Sequence, residues 1–136
     1  MNEHIVLVED NQRDVEITLD AIAEGRPGAV VTVLHNGEEA LEYMHRGGNY
    51  RLRGAGNPDV ILLDIKMPKI SGFEFLALLR ADPRFAQVAV VILSSSRQEQ
   101  DLFNAYKYRA DGYLIKPPTP QQLTSAIDVA LAARRS

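Results

Sequence analysis

The sequence predicts an α/β fold in which one five-stranded parallel sheet carries helices on both faces, as in flavodoxin-like (βα)5 proteins. Short apolar runs alternate five times with segments of helical periodicity along the 136 residues. The run at residues 59–64 is almost continuously apolar, which indicates a strand that is buried on both faces of a parallel sheet. No internal repeat interrupts the pattern, and we therefore expect a single domain over residues 1–136.

The predicted strands are five short runs of aliphatic and β-branched residues, at residues 4–8, 29–34, 59–64, 88–93 and 112–115. The predicted helices alternate with them, at residues 14–24, around Ala40, Leu41 and Met44, at 73–81, at 98–108 and from Pro120 onward. Strands that alternate with helices in this way indicate parallel βαβ units. Because crossovers are right-handed in nearly all such units, the expected strand order is 2-1-3-4-5.

Local signals mark the ends of several elements. Thr119 is a suitable N-cap, with Pro120 at the first helical position and Gln122 placed for a capping box. Asn36-Gly37 is predicted as a turn. Residues 47–58, which contain four glycines and Tyr50, are predicted as a loop.

The unusual polar residues all fall at the carboxyl ends of predicted strands. Glu9 and Asp10 follow the first strand, Asp64 ends the third, Ser94 follows the fourth and Lys116 follows the fifth. Ligands of open α/β sheets bind at this edge, beside the point where the strand order reverses. We therefore expect these residues to converge on one crevice. Each of them alone is more typical of a cap, a turn or a solvated surface, but five at four strand ends favour a functional site.

The chemistry of these residues suits a metal-assisted phosphoryl transfer. Three crowded carboxylates repel one another, and a hard divalent cation such as Mg²⁺, or Mn²⁺, relieves that repulsion. Asp64 can then act as a nucleophile that forms an aspartyl-phosphate. The metal ion, the Lys116 ammonium group and the Ser94 hydroxyl group would each neutralise one phosphoryl oxygen.

Composition excludes several other classes of protein. The chain has no cysteine, which excludes disulfides, thiolate metal sites and a cysteine nucleophile. With a net charge of −3 and no basic tract, it lacks the electrostatic signature of a nucleic-acid-binding protein. No apolar run is long enough for a membrane helix, so we expect a cytoplasmic protein without membrane contacts.

On these residues the chain resembles the response-regulator receiver domains of two-component signalling. The resemblance covers the chain from Ile5 to Ala132, and four segments carry it: Val8-Glu9-Asp10-Asn11, Asp64-Ile65-Lys66-Met67-Pro68-Lys69-Ile70-Ser71-Gly72, Leu93-Ser94-Ser95 and Lys116-Pro117. It implies that Asp64 is the phosphoacceptor for a sensor histidine kinase. It also implies a metal site formed by Asp10, Asp64 and the backbone carbonyl of Lys66, with Glu9 binding directly or through water.

The same resemblance implies a switch and a partner surface. Ser94 would move toward the phosphoryl group, Lys116 would pair with it, and Tyr113 would follow as the aromatic switch residue. The Lys116-Pro117 bond would be cis. Output would pass through the face of the fourth helix, fifth strand and fifth helix. The candidate residues there are Leu102, Phe103, Tyr106 and Tyr113, although their residue types favour the core over the surface.

The finer resemblance is to the single-domain response regulators associated with phytochromes. Its basis is the long loop at residues 45–58, the Asp82-Pro83 segment, the run at residues 90–96 and the absence of an output domain. It implies a phytochrome-type kinase as the phosphodonor, and a homodimer. Three positions depart from the commonest receiver pattern: Glu9 replaces an Asp, Pro118 follows Pro117, and Arg109 replaces a Gly, which we expect to alter the shape of that turn.

Three alternatives remain at this point. A phosphatase of the haloacid dehalogenase type would use the same acidic residues, but it usually carries a second Asp where this chain has Lys66. An FMN-binding module needs a loop that cradles phosphate after the first strand, whereas residues 9–13 begin with two carboxylates. A receiver that has lost phosphorylation and only docks partners is disfavoured by the intact acidic set.

Overall fold

The computed structural model describes residues 2–54 and 56–135, and it confirms the predicted sheet. All strand pairs are parallel, and the order is β2-β1-β3-β4-β5. The strands are β1 (His4–Val8), β2 (Val30–Leu34), β3 (Val60–Asp64), β4 (Ala89–Ser94) and β5 (Gly112–Ile115). The helices are α1 (Gln12–Gly25), α2 (Gly37–His45), α3 (Gly72–Ala81), α4 (Glu99–Lys107) and α5 (Pro120–Arg135), with short 3₁₀ helices at Gly48–Tyr50 and Pro83–Phe85.

Successive side chains of the central strands point to opposite faces of the sheet, where they pack into two separate hydrophobic cores. On one face Val6, Ile61 and Ile92 pack beneath α2, α3 and α4. On the other face Leu7 and Leu62 pack beneath α1 and α5. The three central strands are therefore buried on both faces, as their near-continuous apolar sequence predicts. Within the part of the chain that is described, no helix has both the length and the apolar composition needed to cross a bilayer.

Most predicted helix boundaries hold to within two residues, and the start of α5 is confirmed in detail. The Gln122 backbone N–H donates to the Thr119 hydroxyl (3.1 Å), and the Thr119 N–H donates to the Gln122 side chain (3.0 Å), which completes the capping box. In α3, Leu79 faces the core while Leu78 is exposed.

Two predictions in the first half of the chain were wrong in detail. Asn36-Gly37 is not a free turn, because the Asn36 side chain accepts the N–H of Glu39 (2.8 Å) and Gly37 is the first residue of α2. The predicted loop at residues 47–58 contains the 3₁₀ helix Gly48–Tyr50, and Ala55 within it lies outside the described residues.

Arg109, in the turn before β5, has a left-handed backbone conformation that glycine usually adopts. We expected this replacement to alter the turn, but Arg109 has φ of +64°, in the left-handed region. Its carbonyl oxygen accepts hydrogen bonds from Arg80 (3.1 Å) and Arg134 (3.3 Å). Both guanidinium groups also bind the buried carboxylate of Asp111. This network holds the backbone in place, which explains how the turn tolerates a side chain.

Candidate metal and phosphoryl-acceptor site

Three carboxylates meet at the carboxyl edge of the central strands, where the sequence predicts them. Glu9 and Asp10 follow β1, and Asp64 ends β3, the strand that pairs directly with β1. One oxygen atom from each residue lies within 4.8 Å of the other two. Glu9 is only 1 % exposed and Asp64 is also buried, whereas Asp10 is open to solvent. We call Glu9, Asp10 and Asp64 the acidic cluster.

The start of α1 fixes the position of Glu9. The backbone N–H of Asn11 donates to Oε2 of Glu9 (3.2 Å), and Asn11 itself is the N-cap of α1. Its side chain accepts the N–H of Asp14 (3.0 Å). Asn11 therefore caps α1 with its side chain and positions Glu9 with its backbone N–H.

Lys116 is the cation of this site. Its Nζ atom lies 2.5 Å from Oε1 of Glu9, 3.1 Å from Oδ2 of Asp14 and 3.4 Å from Oδ1 of Asp64. The backbone N–H of Lys116 donates to the carbonyl of Ser94 (2.9 Å), which continues the pairing of β4 and β5 past their ends. The Lys116-Pro117 peptide bond is cis, as predicted. Sequence analysis missed Asp14, whose only signal is its place in the first turn of a helix that begins at this edge.

Burial and crowding shift the pKa values of Glu9 and Lys116. Burial raises the pKa of Glu9 to about 7; the hydrogen bond from Lys116 opposes this rise, and the charge of Asp64 adds to it. For Lys116, burial disfavours the charged form, but its contacts with Glu9, Asp64 and Asp14 outweigh burial and raise its pKa. One ammonium group is therefore too little positive charge for the carboxylates around it.

The donor set fits a hard divalent cation. The cluster offers only carboxylate oxygens, which are the ligands that Mg²⁺ and Mn²⁺ prefer, and no histidine belongs to it among the described residues. A second positive charge would also relieve the penalty that raises the pKa of Glu9. These residues therefore fit the predicted metal ion.

The segment after β3 folds back tightly against Asp64. The N–H of Lys66 faces Oδ1 of Asp64 at 3.4 Å, and the N–H of Gly72 donates to the carbonyl of Ile65 (2.8 Å). A Cβ atom on Gly72 would collide with the backbone of Asp64 and Ile65, so only glycine fits there. The backbone carbonyl of Lys66 stays a predicted metal ligand.

Ser94 and Tyr113 are joined through one intervening residue, Ser96. The N–H of Ser96 donates to the hydroxyl oxygen of Ser94 (3.0 Å), and the carbonyl of Ser96 accepts the hydroxyl group of Tyr113 (2.9 Å). Ser94, which is the last residue of β4, and Ser96 are both buried. Sequence analysis named Ser94 and Tyr113 but missed Ser96, because a serine in a polar run carries no distinct pattern.

Comparison with protein families gives one match that covers nearly the whole chain. Residues 5–128 match the family model described as the response regulator receiver domain. Among curated proteins, the chain is 32% identical over 126 residues to the probable methanogenesis regulatory protein FilR2 of Methanothrix harundinacea, covering 91% of this chain and 78% of FilR2. It is 30% identical to the response regulator Rcp1 of Synechocystis, covering 82% of this chain and 75% of Rcp1.

Solved structures with the same fold include proteins that are named phytochrome response regulators. The bacteriophytochrome response regulator RtBRR superposes with a TM-score of 0.87 at 36% identity, covering 99% of this chain and 90% of RtBRR. The phosphorylated cyanobacterial phytochrome response regulator RcpA gives 0.80 at 35% identity, with coverages of 93% and 89%. The Mn²⁺-bound form of Rcp1 gives 0.77 at 26% identity, with coverages of 96% and 90%.

Proposed function

Because this chain belongs to the response regulator receiver domain family, we propose that it accepts a phosphoryl group on Asp64 from a sensor histidine kinase. The observation that supports this most directly is the position of Asp64, which is buried beside Glu9 and Asp10 with the Lys116 ammonium group 3.4 Å from Oδ1. Receiver domains are phosphoacceptor switches. The chain would act as one of these, with no turnover beyond the gain and loss of its own phosphoryl group.

The acidic cluster and the backbone carbonyl of Lys66 would hold Mg²⁺ or Mn²⁺ in this reaction. When bound, the ion supplies positive charge to a phosphoryl oxygen as charge develops there. Asp64 provides the attacking oxygen, and a new oxygen–phosphorus bond forms as the bond from phosphorus to the donor nitrogen breaks. Lys116 and the Ser94 hydroxyl group would each donate a hydrogen bond to one of the remaining phosphoryl oxygens.

The contacts of Ser96 provide a route from the phosphoryl group to the surface. If Ser94 moves toward a phosphoryl group on Asp64, the Ser96 backbone moves with it, because the Ser96 N–H is bonded to the Ser94 hydroxyl oxygen. The hydroxyl group of Tyr113 is bonded to the same peptide segment. Tyr113 would therefore be repositioned by phosphorylation, which is a local charge change acting on a two-state element.

The face of α4, β5 and α5 is the proposed output surface. Leu102, Phe103 and Tyr106 are 46 %, 58 % and 85 % exposed, so these three are surface residues and not core. A shallow groove of about 380 Å³ between β5 and α5 adds the apolar side chains of Leu114 and Val129. We propose that a second copy of the chain covers this face in a homodimer.

The proposed phosphodonor is a phytochrome-type histidine kinase. Support comes from RtBRR and RcpA, whose descriptions name them phytochrome response regulators and whose folds match most of this chain. The proposed location of the protein is the cytoplasm. The net charge of −3 gives no support for a nucleic-acid partner.

Mass spectrometry after incubation with acetyl phosphate and Mg²⁺ tests the acceptor directly. We expect one added phosphoryl group, located on Asp64, and no uptake by Asp64→Asn. Asp20→Asn, which changes an exposed residue of α1, should behave like the wild-type protein. Phosphoryl uptake by Asp64→Asn, or repeated turnover of phosphate esters by the wild-type protein, would contradict the proposal.

The dimer and the donor need separate tests. Phe103→Asp should weaken self-association in sedimentation experiments, whereas Ile17→Asp, at an exposed position of α1, should not. Phosphoryl transfer from a phytochrome-type kinase should be faster than transfer from an unrelated histidine kinase. A monomeric wild-type protein, with or without its phosphoryl group, would contradict the proposed dimer.

A further inference from the structure

Lys116 contacts one carboxylate that does not belong to the acidic cluster. Its Nζ atom lies 2.5 Å from Glu9 Oε1, 3.1 Å from Asp14 Oδ2 and 3.4 Å from Asp64 Oδ1. Glu9 and Asp64 are proposed metal ligands, but Asp14 is not. The Asp14 side chain is 34 % exposed, so it lies at the rim of the site, while Lys116 is 13 % exposed.

Asp14 is tied to the acidic cluster by a closed ring of hydrogen bonds. The Asp14 N–H donates to the side chain of Asn11 (3.0 Å), and the Asn11 N–H donates to Glu9 Oε2 (3.2 Å). Lys116 closes the ring by donating to both Glu9 and Asp14. An acidic residue in the first turn of a helix is favourable by itself. The helix dipole does not explain, however, why Lys116, from the other end of the chain, contacts the Asp14 carboxylate.

Glu9 and Asp64 hold Lys116 less tightly once they also bind a divalent metal ion. A metal ion on Glu9 and Asp64 neutralises their charge and repels the ammonium group, since both are positive. The lysine side chain is long and flexible, so an ammonium group without a carboxylate partner would move toward solvent. Of the three carboxylates that contact Lys116, only that of Asp14 stays outside the metal site.

We propose that Asp14 is a positioning residue, which holds the Lys116 ammonium group beside Asp64 while a metal ion occupies the acidic cluster. This inference rests on the proposed phosphoacceptor function of Asp64. Asp14 serves both states of the site. It draws Lys116 away from Glu9 so that the metal ion can bind, and it keeps Lys116 within reach of the phosphoryl group that arrives on Asp64.

Loss of the Asp14 charge should therefore weaken metal binding and slow phosphoryl uptake together. In Asp14→Asn, Lys116 would contact only Glu9 and Asp64, and it would compete with the metal ion for these two carboxylates. Once the metal ion is bound, Lys116 would leave the site. Asp14→Glu carries the same charge on a side chain one methylene longer, so it should restore much of both properties.

A double-mutant cycle with Lys116→Met tests whether Asp14 acts through Lys116. The measurements are the Mg²⁺ dissociation constant by calorimetry and the rate of phosphoryl uptake from phosphoramidate at saturating Mg²⁺. We expect Asp14→Asn to weaken Mg²⁺ binding and to slow uptake by about three- to tenfold, and to change either by less than about twofold in the Lys116→Met background. Asp20→Asn removes the same charge from an exposed position further along α1 and should have no effect.

An NMR measurement of Lys116 provides a readout that a purely structural role would leave unchanged. In the wild-type protein with Mg²⁺, the ¹⁵Nζ resonance of Lys116 should show a slowly exchanging, hydrogen-bonded ammonium group. In Asp14→Asn with Mg²⁺ the protection should be lost, and in Asp14→Glu it should return.

Two results would overturn the inference: equal effects of Asp14→Asn with and without Lys116, or an unchanged Lys116 resonance in Asp14→Asn. A wild-type protein that takes up no phosphoryl group would instead overturn the proposed function. The Mg²⁺ titrations and the NMR measurement need no phosphoryl transfer, so they separate the two failures.

Discussion

The ammonium nitrogen of Lys116 lies 3.4 Å from Oδ1 of Asp64, although β4 lies between β3, which ends at Asp64, and β5, which Lys116 follows. The N–H of Lys116 binds the carbonyl of Ser94 at the end of β4, and this pairing directs the lysine back across β4 toward β3. Asp64 therefore has a cation beside it before any metal ion binds. That cation also competes with a metal ion for Glu9.

Replacement of Lys116 should separate metal binding from phosphoryl uptake. In Lys116→Met, Mg²⁺ should bind a few times more tightly because the competing ammonium group is gone. Phosphoryl uptake from acetyl phosphate should fall by about tenfold or more, because one charge-stabilising donor is lost. Calorimetry and mass spectrometry measure the two effects. Lys107→Met, at an exposed position of α4, is the control and should change neither. Weaker Mg²⁺ binding in Lys116→Met would show that the lysine does not compete with the metal ion.

Metal binding should depend on pH near neutrality because the pKa of Glu9 is raised to about 7. Protons compete with the metal ion for this carboxylate, so Mg²⁺ affinity should rise by about tenfold between pH 6 and pH 8. Calorimetry in buffers with different ionisation enthalpies should detect proton release below pH 7. The same measurements on Glu9→Gln should show weaker binding that no longer changes with pH in this range. An equally steep pH dependence in Glu9→Gln would assign the effect to another group.

The raised pKa of Glu9 also makes the free energy of unfolding of the metal-free protein depend on pH. Between pH 4.5 and 7 the folded protein binds more protons at Glu9 than the unfolded chain does. The contribution of Glu9 to the free energy of unfolding should therefore fall as pH rises through this window, by at most about 3 kcal/mol, and then level off. Urea unfolding at several pH values, compared between the wild-type protein and Glu9→Gln, isolates this contribution. A contribution that increases with pH would contradict the assignment.

The bond between Tyr113 and Ser96 should be measurable as a stability difference. Tyr113→Phe removes the donor to the Ser96 carbonyl and keeps the ring, so the free energy of unfolding should fall by about 0.5–1.5 kcal/mol. Tyr106→Phe is the matched control, because Tyr106 is 85 % exposed, and it should have almost no effect. Chemical denaturation measures both variants. Equal stabilities of Tyr113→Phe and the wild-type protein would show that the bond contributes nothing.

Gly72 should tolerate no side chain, because the backbone of Asp64 and Ile65 occupies the space. Gly72→Ala should lower the free energy of unfolding by about 1–3 kcal/mol and weaken Mg²⁺ binding, since the backbone at Asp64 must shift. Gly47→Ala has open space around its Cβ position and is the control. Denaturation and calorimetry measure the two properties. Normal stability and Mg²⁺ affinity in Gly72→Ala would mean that the segment after β3 is freer than its contacts indicate.

The strands and the acidic cluster could be predicted because their signals are local and coincide. The apolar run that ends at Asp64 is a signal of a buried parallel strand, and the carboxyl ends of parallel strands share one edge of the sheet. Asn36-Gly37 shows where a local signal misleads. The pair favours a tight turn in isolation, but the side chain of Asn36 caps a helix here.

Other contacts could not be predicted because they depend on the assembled fold. Asp14 meets Lys116 only after α1 and β5 have both docked on the sheet. The ion pairs of Asp111 with Arg80 and Arg134 join the turn before β5 to α3 and α5, and no sequence spacing indicates them. The exposure of Phe103 also follows from the way α4 rests on the sheet, since its residue type alone favours burial.

A crystal structure of the protein with Mg²⁺ and beryllofluoride, which mimics a phosphoryl group on a carboxylate, tests the central claim most directly. We expect beryllofluoride on Asp64, the metal ion bound to Glu9, Asp10 and Asp64, and Lys116 Nζ within hydrogen-bonding distance of a fluorine atom. Beryllofluoride on another residue, or a metal ion bound away from these three carboxylates, would contradict the account.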